Sequence, residues 1–219
     1  MLNFEVITKD PEIGKKLLIG SLLALSGVGL IALVGWMLEI IRRVQRDEPP
    51  ELPAFDEIGT LFVDGLKAMA IGLAWSLPIA LPVIAMALVI VFLTGSSNNP
   101  DDLVGPIVLL NFCIVGLVFV FTILVLILVV PAFGLLAETG DLKQAIDPRK
   151  AIAIFRINPG GFLLAALLGL MINSLLGSLG SILCLVGIYP AMTLSYALQG
   201  QLFGKAYRDS KKNKIDTEI

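Results

Sequence analysis

The 219-residue chain is 57% hydrophobic and only 16% charged, with a formal net charge of −2 and no histidine. Its mean hydropathy of +0.91 lies outside the range of soluble domains, in which roughly 45–50% of residues are apolar and about 25% charged. The composition excludes a soluble globular domain. The small net charge, with basic residues scattered beside apolar runs, excludes nucleic acid as a partner. The missing histidine removes Ser-His-Asp and Cys-His catalysis and histidine-ligated zinc or haem.

In chain order, Asp10-Pro11 reads as an N-cap with proline in the first turn of a helix. Residues 13–41 form a first membrane span, since about 20 apolar residues cross a bilayer core. No cleavage site follows promptly, so the segment is expected to be retained. Within it, Gly20 and Ala24 make a small-xxx-small pair. Gly27 and Gly29 weaken the span, and the alternative is a hairpin that dips in and returns, leaving four crossings. Glu39 falls at head-group depth beside Arg42 and Arg43.

The first polar break follows. Its acids crowd around Pro49, Pro50 and Pro53, without the spacing of a calcium loop. Asp56 then caps an amphipathic helix over 56–67, with Phe55 and Phe62 on its apolar side and Asp64 on its polar side. That helix is expected to lie in the membrane interface. A second span covers 68–94 and contains Pro78 and Pro82. A turn over 95–104 leads to a third span at 105–136, in which Asn111 and Thr122 are the polar side chains and Pro131 bends the final turns.

A second polar segment ends in Asp147-Pro148, the start of an interfacial helix over 148–157 whose Ile152 and Phe155 face lipid. From 162 to 203 the chain is apolar for twice the length of one crossing, so it must fold back. The preferred turn is GSLGS at 177–181, giving spans at 161–177 and 181–206; a turn at 187–190 competes. Ala165, Gly169, Asn173 and Gly177 recur every four residues as a helix-packing stripe. Asn173 needs a partner, and Ser195, Tyr196 and Gln199 gather on the next span. These three residues and Asn111 are also the polar side chains from which a path through the membrane would be built. Cys113 and Cys184 both lie in apolar runs, as small buried hydrophobes.

The fold class is therefore all-α: a polytopic transmembrane helix bundle of one domain, residues 1–219, with about five spans and two amphipathic interfacial helices. The basic residues concentrate on the 42–67 and 138–160 connections and on the tail, which assigns those and the C-terminus to the cytoplasm. Lys15 and Lys16 object, because five spans would leave them outside.

Several short motifs carry a resemblance. Lys15-Lys16-Leu17 opens a glycine-rich span; Gly35-Trp36 precedes Arg42-Arg43; Leu52-Pro53-x-Phe55-Asp56 is followed by Gly65; and Leu198-Gln199-Gly200-Gln201 precedes Tyr207-Arg208. In these the chain resembles the domain of unknown function 4013 (DUF4013) family of prokaryotic polytopic membrane proteins, with Trp36 where tyrosine is expected. The resemblance implies several spans and a prokaryotic plasma membrane, and transfers no catalytic residue. The function expected is that of a multi-pass, non-enzymatic accessory or scaffold component without cofactor or metal, packing in the lipid bilayer against a membrane-protein partner or itself as a homo-oligomer. The alternative is a small transporter or channel with its path near Asn111, Asn173 and Gln199.

Overall fold

The structure, a computed structural model, describes residues 10–49, 51–96, 104–182 and 187–218. Among these, eight helices and no strand occur. They are α1 (Ile13–Leu25), α2 (Gly29–Gln45), α3 (Ile58–Ser96), α4 (Val104–Thr139), α5 (Leu142–Ile146), α6 (Pro148–Ile157), α7 (Pro159–Ile182) and α8 (Ile188–Glu218). Two compact units are distinguished, one formed by Met1–Ile71 with Ile127–Ile219 and the other by Gly72–Leu126. The helices α3, α4 and α7 are long and apolar enough to cross a membrane.

The continuous span expected over 13–41 is corrected to two helices. Ser26 is the hinge: its Oγ donates to the Leu23 carbonyl (2.7 Å) and accepts from the Gly29 amide (2.9 Å), closing α1 and starting α2 in one turn. Gly27 sits at φ +70°, a conformation that a residue with Cβ adopts only at a cost. At about 1.5 Å per residue, the 13 residues of α1 rise about 20 Å and the 17 of α2 about 26 Å, both short of a core of roughly 30 Å. The chain reverses between them, because Lys16 in α1 reaches Leu52, beyond the end of α2.

The separate interfacial helix expected over 56–67 is also corrected. Asp56 and Glu57 form a turn, and residues 58–67 are the opening of α3, which runs without a break through Lys67, Ala68 and Met69 to Ser96. No glycine or proline interrupts Leu66–Ala70, and leucine, lysine, alanine and methionine are strong helix formers, so nothing in the sequence stops the helix there. Phe55, expected on that helix, precedes it and stacks on Trp36, with ring centroids 5.0 Å apart.

The turn expected at 177–181 is helical as well, and α7 continues to Ile182. Glycine and serine mark turns where water can bond the freed backbone; in hydrocarbon the backbone must bond itself. Here Ser178 and Ser181 return their hydroxyls to the carbonyls of Ser174 and Gly177, both at 2.8 Å. The helix α8 begins at Ile188, inside the competing 187–190 turn, and extends well past the 206 expected for the end of span five. The 148–157 helix has the expected bounds, with the Asp147 carboxylate accepting from the Arg149 amide at 2.9 Å. Cys184 and most of the 95–104 turn lie outside the described residues.

In the first unit, α8 is the central element, packing against α1, α2, α6 and α7. Gly200 and Gly204 lie one turn apart and face α2. A Cβ at 200 would meet Ile40 and the Met37 carbonyl at 3.0 Å, and one at 204 would meet Val44 at 2.8 Å. This G-x-x-x-G pair brings two backbones together in the way that small residues do in membrane bundles. A second close crossing pairs Gly35 of α2 with Gly65 of α3, where a Cβ on either would overlap the other helix's backbone carbonyls. The core beneath these crossings holds Leu33, Trp36, Leu38, Ile41 and Phe162, all essentially inaccessible.

Candidate functional site

The polar groups of the first unit gather at one end, where the last turn of α2, the first turns of α3, the last turns of α4 and the middle of α8 converge. Arg42 is the hub. Its guanidinium lies 2.7 Å from Asp64 of α3 and 2.9 Å from Glu39, while Nε donates to the Ala137 carbonyl of α4 at 3.1 Å. Lys67 adds a contact to Asp64 at 3.5 Å and donates to the Gly140 carbonyl at 3.4 Å. Gln45 donates to the Gly134 carbonyl at 2.9 Å. The Ala137 carbonyl at the end of α4 and the Gly140 carbonyl just beyond it lie past the helix's own ladder, so Arg42 and Lys67 from neighbouring helices satisfy them.

The ring of Tyr207 packs against Gly134, where a Cβ would collide with it, and its hydroxyl donates to Glu138 one turn further along α4 at 2.5 Å. Glu138 is also paired with Lys211, and Asp47 with Arg208. Arg208 further donates to the Val44 carbonyl at 3.4 Å, closing the end of α2. Between these groups is a cavity of about 290 Å³, with Arg42, Arg46, Arg208, Lys211 and Lys212 among its walls and Glu138 as its one carboxylate.

A second polar knot ties the start of α1 to the proline-rich loop. Asp10 is buried, and its carboxylate accepts from Lys16 Nζ (2.7 Å), the Glu12 amide (2.9 Å) and the Leu52 amide (3.0 Å). Lys16 also donates to the Leu52 carbonyl at 2.6 Å. Burial pushes the Asp10 carboxyl upward, but the bond from Lys16 and the two amide bonds outweigh it, leaving the group below its ordinary value. Beside the knot, Trp36 Nε1 donates to the Pro53 carbonyl at 2.9 Å. Asp141, before α5, is also held low, by Gln144 and by the Lys143 amide.

The residues singled out from sequence are distributed as follows. Of the stripe, Ala165 is buried and Gly169 packs on α8 against Phe203 and Gln199, whereas Gly177 faces open space. Asn173 accepts from Ser195 at 3.4 Å, and Ser195 accepts from Gln199 at 2.8 Å, so these three form one chain of bonds. Tyr196 is half-buried against the core around Trp36. Asn111 is exposed and belongs to the Gly72–Leu126 unit, apart from the other three in the division of the chain. Of the interfacial residues, Asp56 is exposed, Phe62 half-buried, and Asp64 has been drawn into the ion-pair network. On α6, Ile152 is exposed and Phe155 lies 6.3 Å from Phe162, ring to ring. Among the described residues no three acidic or cysteine side chains gather as a metal site requires.

Sequence reasoning missed the pairs Arg42–Asp64, Asp10–Lys16 and Glu138–Tyr207. Each joins residues far apart in the chain or on different elements, and the one local signal is that each charge stands beside an apolar run where it must find a partner.

Residues 18–185 match the family described as protein of unknown function (DUF4013), more than half of the chain. The chain belongs to the DUF4013 family. No curated protein and no solved structure matches it. The DUF4013 match takes in Trp36, Arg42, Asp64 and Glu138, and ends before α8, which supplies Tyr207 and Arg208.

Proposed function

We propose that this DUF4013 protein is a non-enzymatic accessory or scaffold component of a prokaryotic plasma membrane, packing against another membrane protein or a second copy of itself. The observation that carries this reading is the surface of the Gly72–Leu126 unit. Its helix halves expose long apolar side chains, with Phe92 72% and Phe112 78% accessible, an extent of apolar surface that water does not tolerate. Lipid or partner helices must cover it. The most buried charged groups, Arg42 with Asp64 and Lys16 with Asp10, are paired with one another and with backbone carbonyls, which favours structural roles for them over substrate chemistry. The mutual bonding of Asn173, Ser195 and Gln199 likewise favours helix glue over a transport path.

The orientation follows from the positive-inside rule together with the hairpin. The reversal between α1 and α2 brings Lys16 to the same end as Arg42 and Lys67. That removes the objection raised by Lys15 and Lys16 and supports four crossings, by α3, α4, α7 and α8, with the C-terminus cytoplasmic. Cysteine labelling of intact cells at an engineered position 150 should fail; labelling from outside would reject this orientation.

The scaffold reading is tested with Cys113, which is exposed on α4, in a Cys184→Ser background. Oxidative cross-linking in native membranes should trap a Cys113–Cys113 disulfide where two copies meet, and purification in mild detergent should yield a defined dimer or a stoichiometric partner. A monodisperse monomer with no adduct would reject it.

A further inference from the structure

We propose that the cavity between α2, α4 and α8 is a binding site for a phosphate-bearing anion, supplied either by an anionic phospholipid headgroup or by free phosphate. Five cations and one carboxylate line it, and the carboxylate, Glu138, is already engaged by Tyr207 and Lys211. Arg42 is consumed by Asp64, Glu39 and the end of α4. Of the remaining cations, Arg208 and Lys211 pair directly with Asp47 and Glu138, whereas Arg46 lies 3.6 Å from Glu48 and Lys212 3.8 Å from Asp47, and both of these side chains are largely exposed. Arg208 carries an independent mark, a buried Nε with no hydrogen-bond acceptor among the described residues, although Asp209 lies 3.9 Å away.

Asp47 indicates what the cations are arranged to hold. It stands in the loop after α2 at φ +56°, and its exposed carboxylate bridges Arg208 and Lys212. One singly charged, solvent-facing carboxylate is a weak match for that pair. A phosphate group entering the cavity adds a second anion to the one that Asp47 supplies, and its terminal oxygens suit the planar fork of an arginine. Basic pockets at the ends of membrane helices are also where anionic headgroups are met. The assignment uses the membrane reading above only for the lipid source; the anion site itself stands on the cavity.

The test is binding in detergent, which is independent of orientation and of any partner protein. Purified protein is titrated with dioleoylphosphatidylglycerol, dioleoylphosphatidylcholine and inorganic phosphate, and occupancy is read by native mass spectrometry. Phosphatidylglycerol should bind well above phosphatidylcholine. Each basic residue near an anionic surface is worth about a fivefold change in affinity, so Arg46→Gln/Lys212→Gln should weaken binding about 25-fold. Asp47→Asn should tighten it, whereas a purely structural Asp47 would leave it unchanged or weaken it. Arg149→Gln/Lys150→Gln removes equal charge from α6, away from the cavity walls, and should have no effect. Inorganic phosphate binding without phosphatidylglycerol assigns the source to free phosphate, and the reverse assigns it to lipid. Three results would overturn the site: neither anion binding above phosphatidylcholine, equal weakening by the α6 pair, or a cavity variant indistinguishable from the parent.

Discussion

Asp10→Asn isolates the charge of the N-terminal knot, because asparagine keeps the size of the side chain while removing its ionisation. Only 1% of the Asp10 side chain and 11% of the Lys16 side chain are accessible, with 2.7 Å between the charged atoms. At that distance and an effective dielectric near 20, the attraction is about 6 kcal/mol, much of it offset by the desolvation of both ions. Removing the carboxylate leaves the Lys16 ammonium buried with neutral acceptors, the Leu52 carbonyl and at most the one amide oxygen of asparagine, and breaking a buried pair in this way costs about 3–5 kcal/mol. Thermal unfolding in detergent, followed by circular dichroism, should show a fall in Tm of roughly 10 °C. Asp10→Leu/Lys16→Met, which removes both charges, should recover much of it. The pH dependence has a defined sign. The folded carboxyl titrates below its ordinary value of 3.8, so its contribution is complete above that value and is lost as pH falls through the folded pKa. The gap between parent and Asp10→Asn should therefore begin to narrow below about pH 3.8 and go on narrowing as pH falls further. An Asp10→Asn protein that melts with the parent at pH 7, or a gap that does not narrow as pH falls below 3.8, would refute the assignment.

Three further outcomes follow from the geometry. Gly204→Leu forces a side chain into Val44 and the Ile41 carbonyl and should abolish monodisperse elution in detergent, while Gly177→Leu, with nothing within 4 Å of its Cβ position, should stay within about 0.5 kcal/mol of the parent. Trp36→Phe retains a ring against Phe55 but loses the bond to Pro53, and thermal unfolding should record a loss of about 1–3 kcal/mol for the carbonyl left unpaired. Asn173→Leu removes one 3.4 Å bond and leaves Gln199 to Ser195 intact, so a loss below about 1 kcal/mol is expected.

The helical class and the apolar crossings were legible because uninterrupted runs of valine, leucine and isoleucine have one solution in a bilayer, the self-bonded helix. The 148–157 helix was equally legible, since Asp147-Pro148 at its start and Asn158-Pro159 at its end are local signals whose meaning does not depend on neighbours. Misreadings arose where a local signal is conditional on solvent. Gly177 and Ser181 look like a turn to a reader thinking of water, yet they sit in a helix that hydrocarbon obliges to continue. Ser26 and Gly27, of much the same composition, do break the chain, and the difference lies in Ser26 supplying both bonds of the turn and Gly27 accepting a positive φ. Charge partners were legible only within a helical turn. Glu39 is visible beside Arg42 and Arg43 at head-group depth in the sequence, whereas Asp64, 22 residues beyond Arg42, becomes a partner only once Gly35 and Gly65 let α2 and α3 touch.

Because α1, α2, α6 and α7 all lean on α8, the axle of this assembly emerges from the ribosome after the parts that turn on it. The earlier helices reach the bilayer with the grooves for Gly200 and Gly204 still vacant, and their mutual arrangement stays provisional until the last segment arrives. Nascent chains stalled just short of α8 should therefore be inserted yet fully open to protease, and the passage to resistance should come as one late, concerted event.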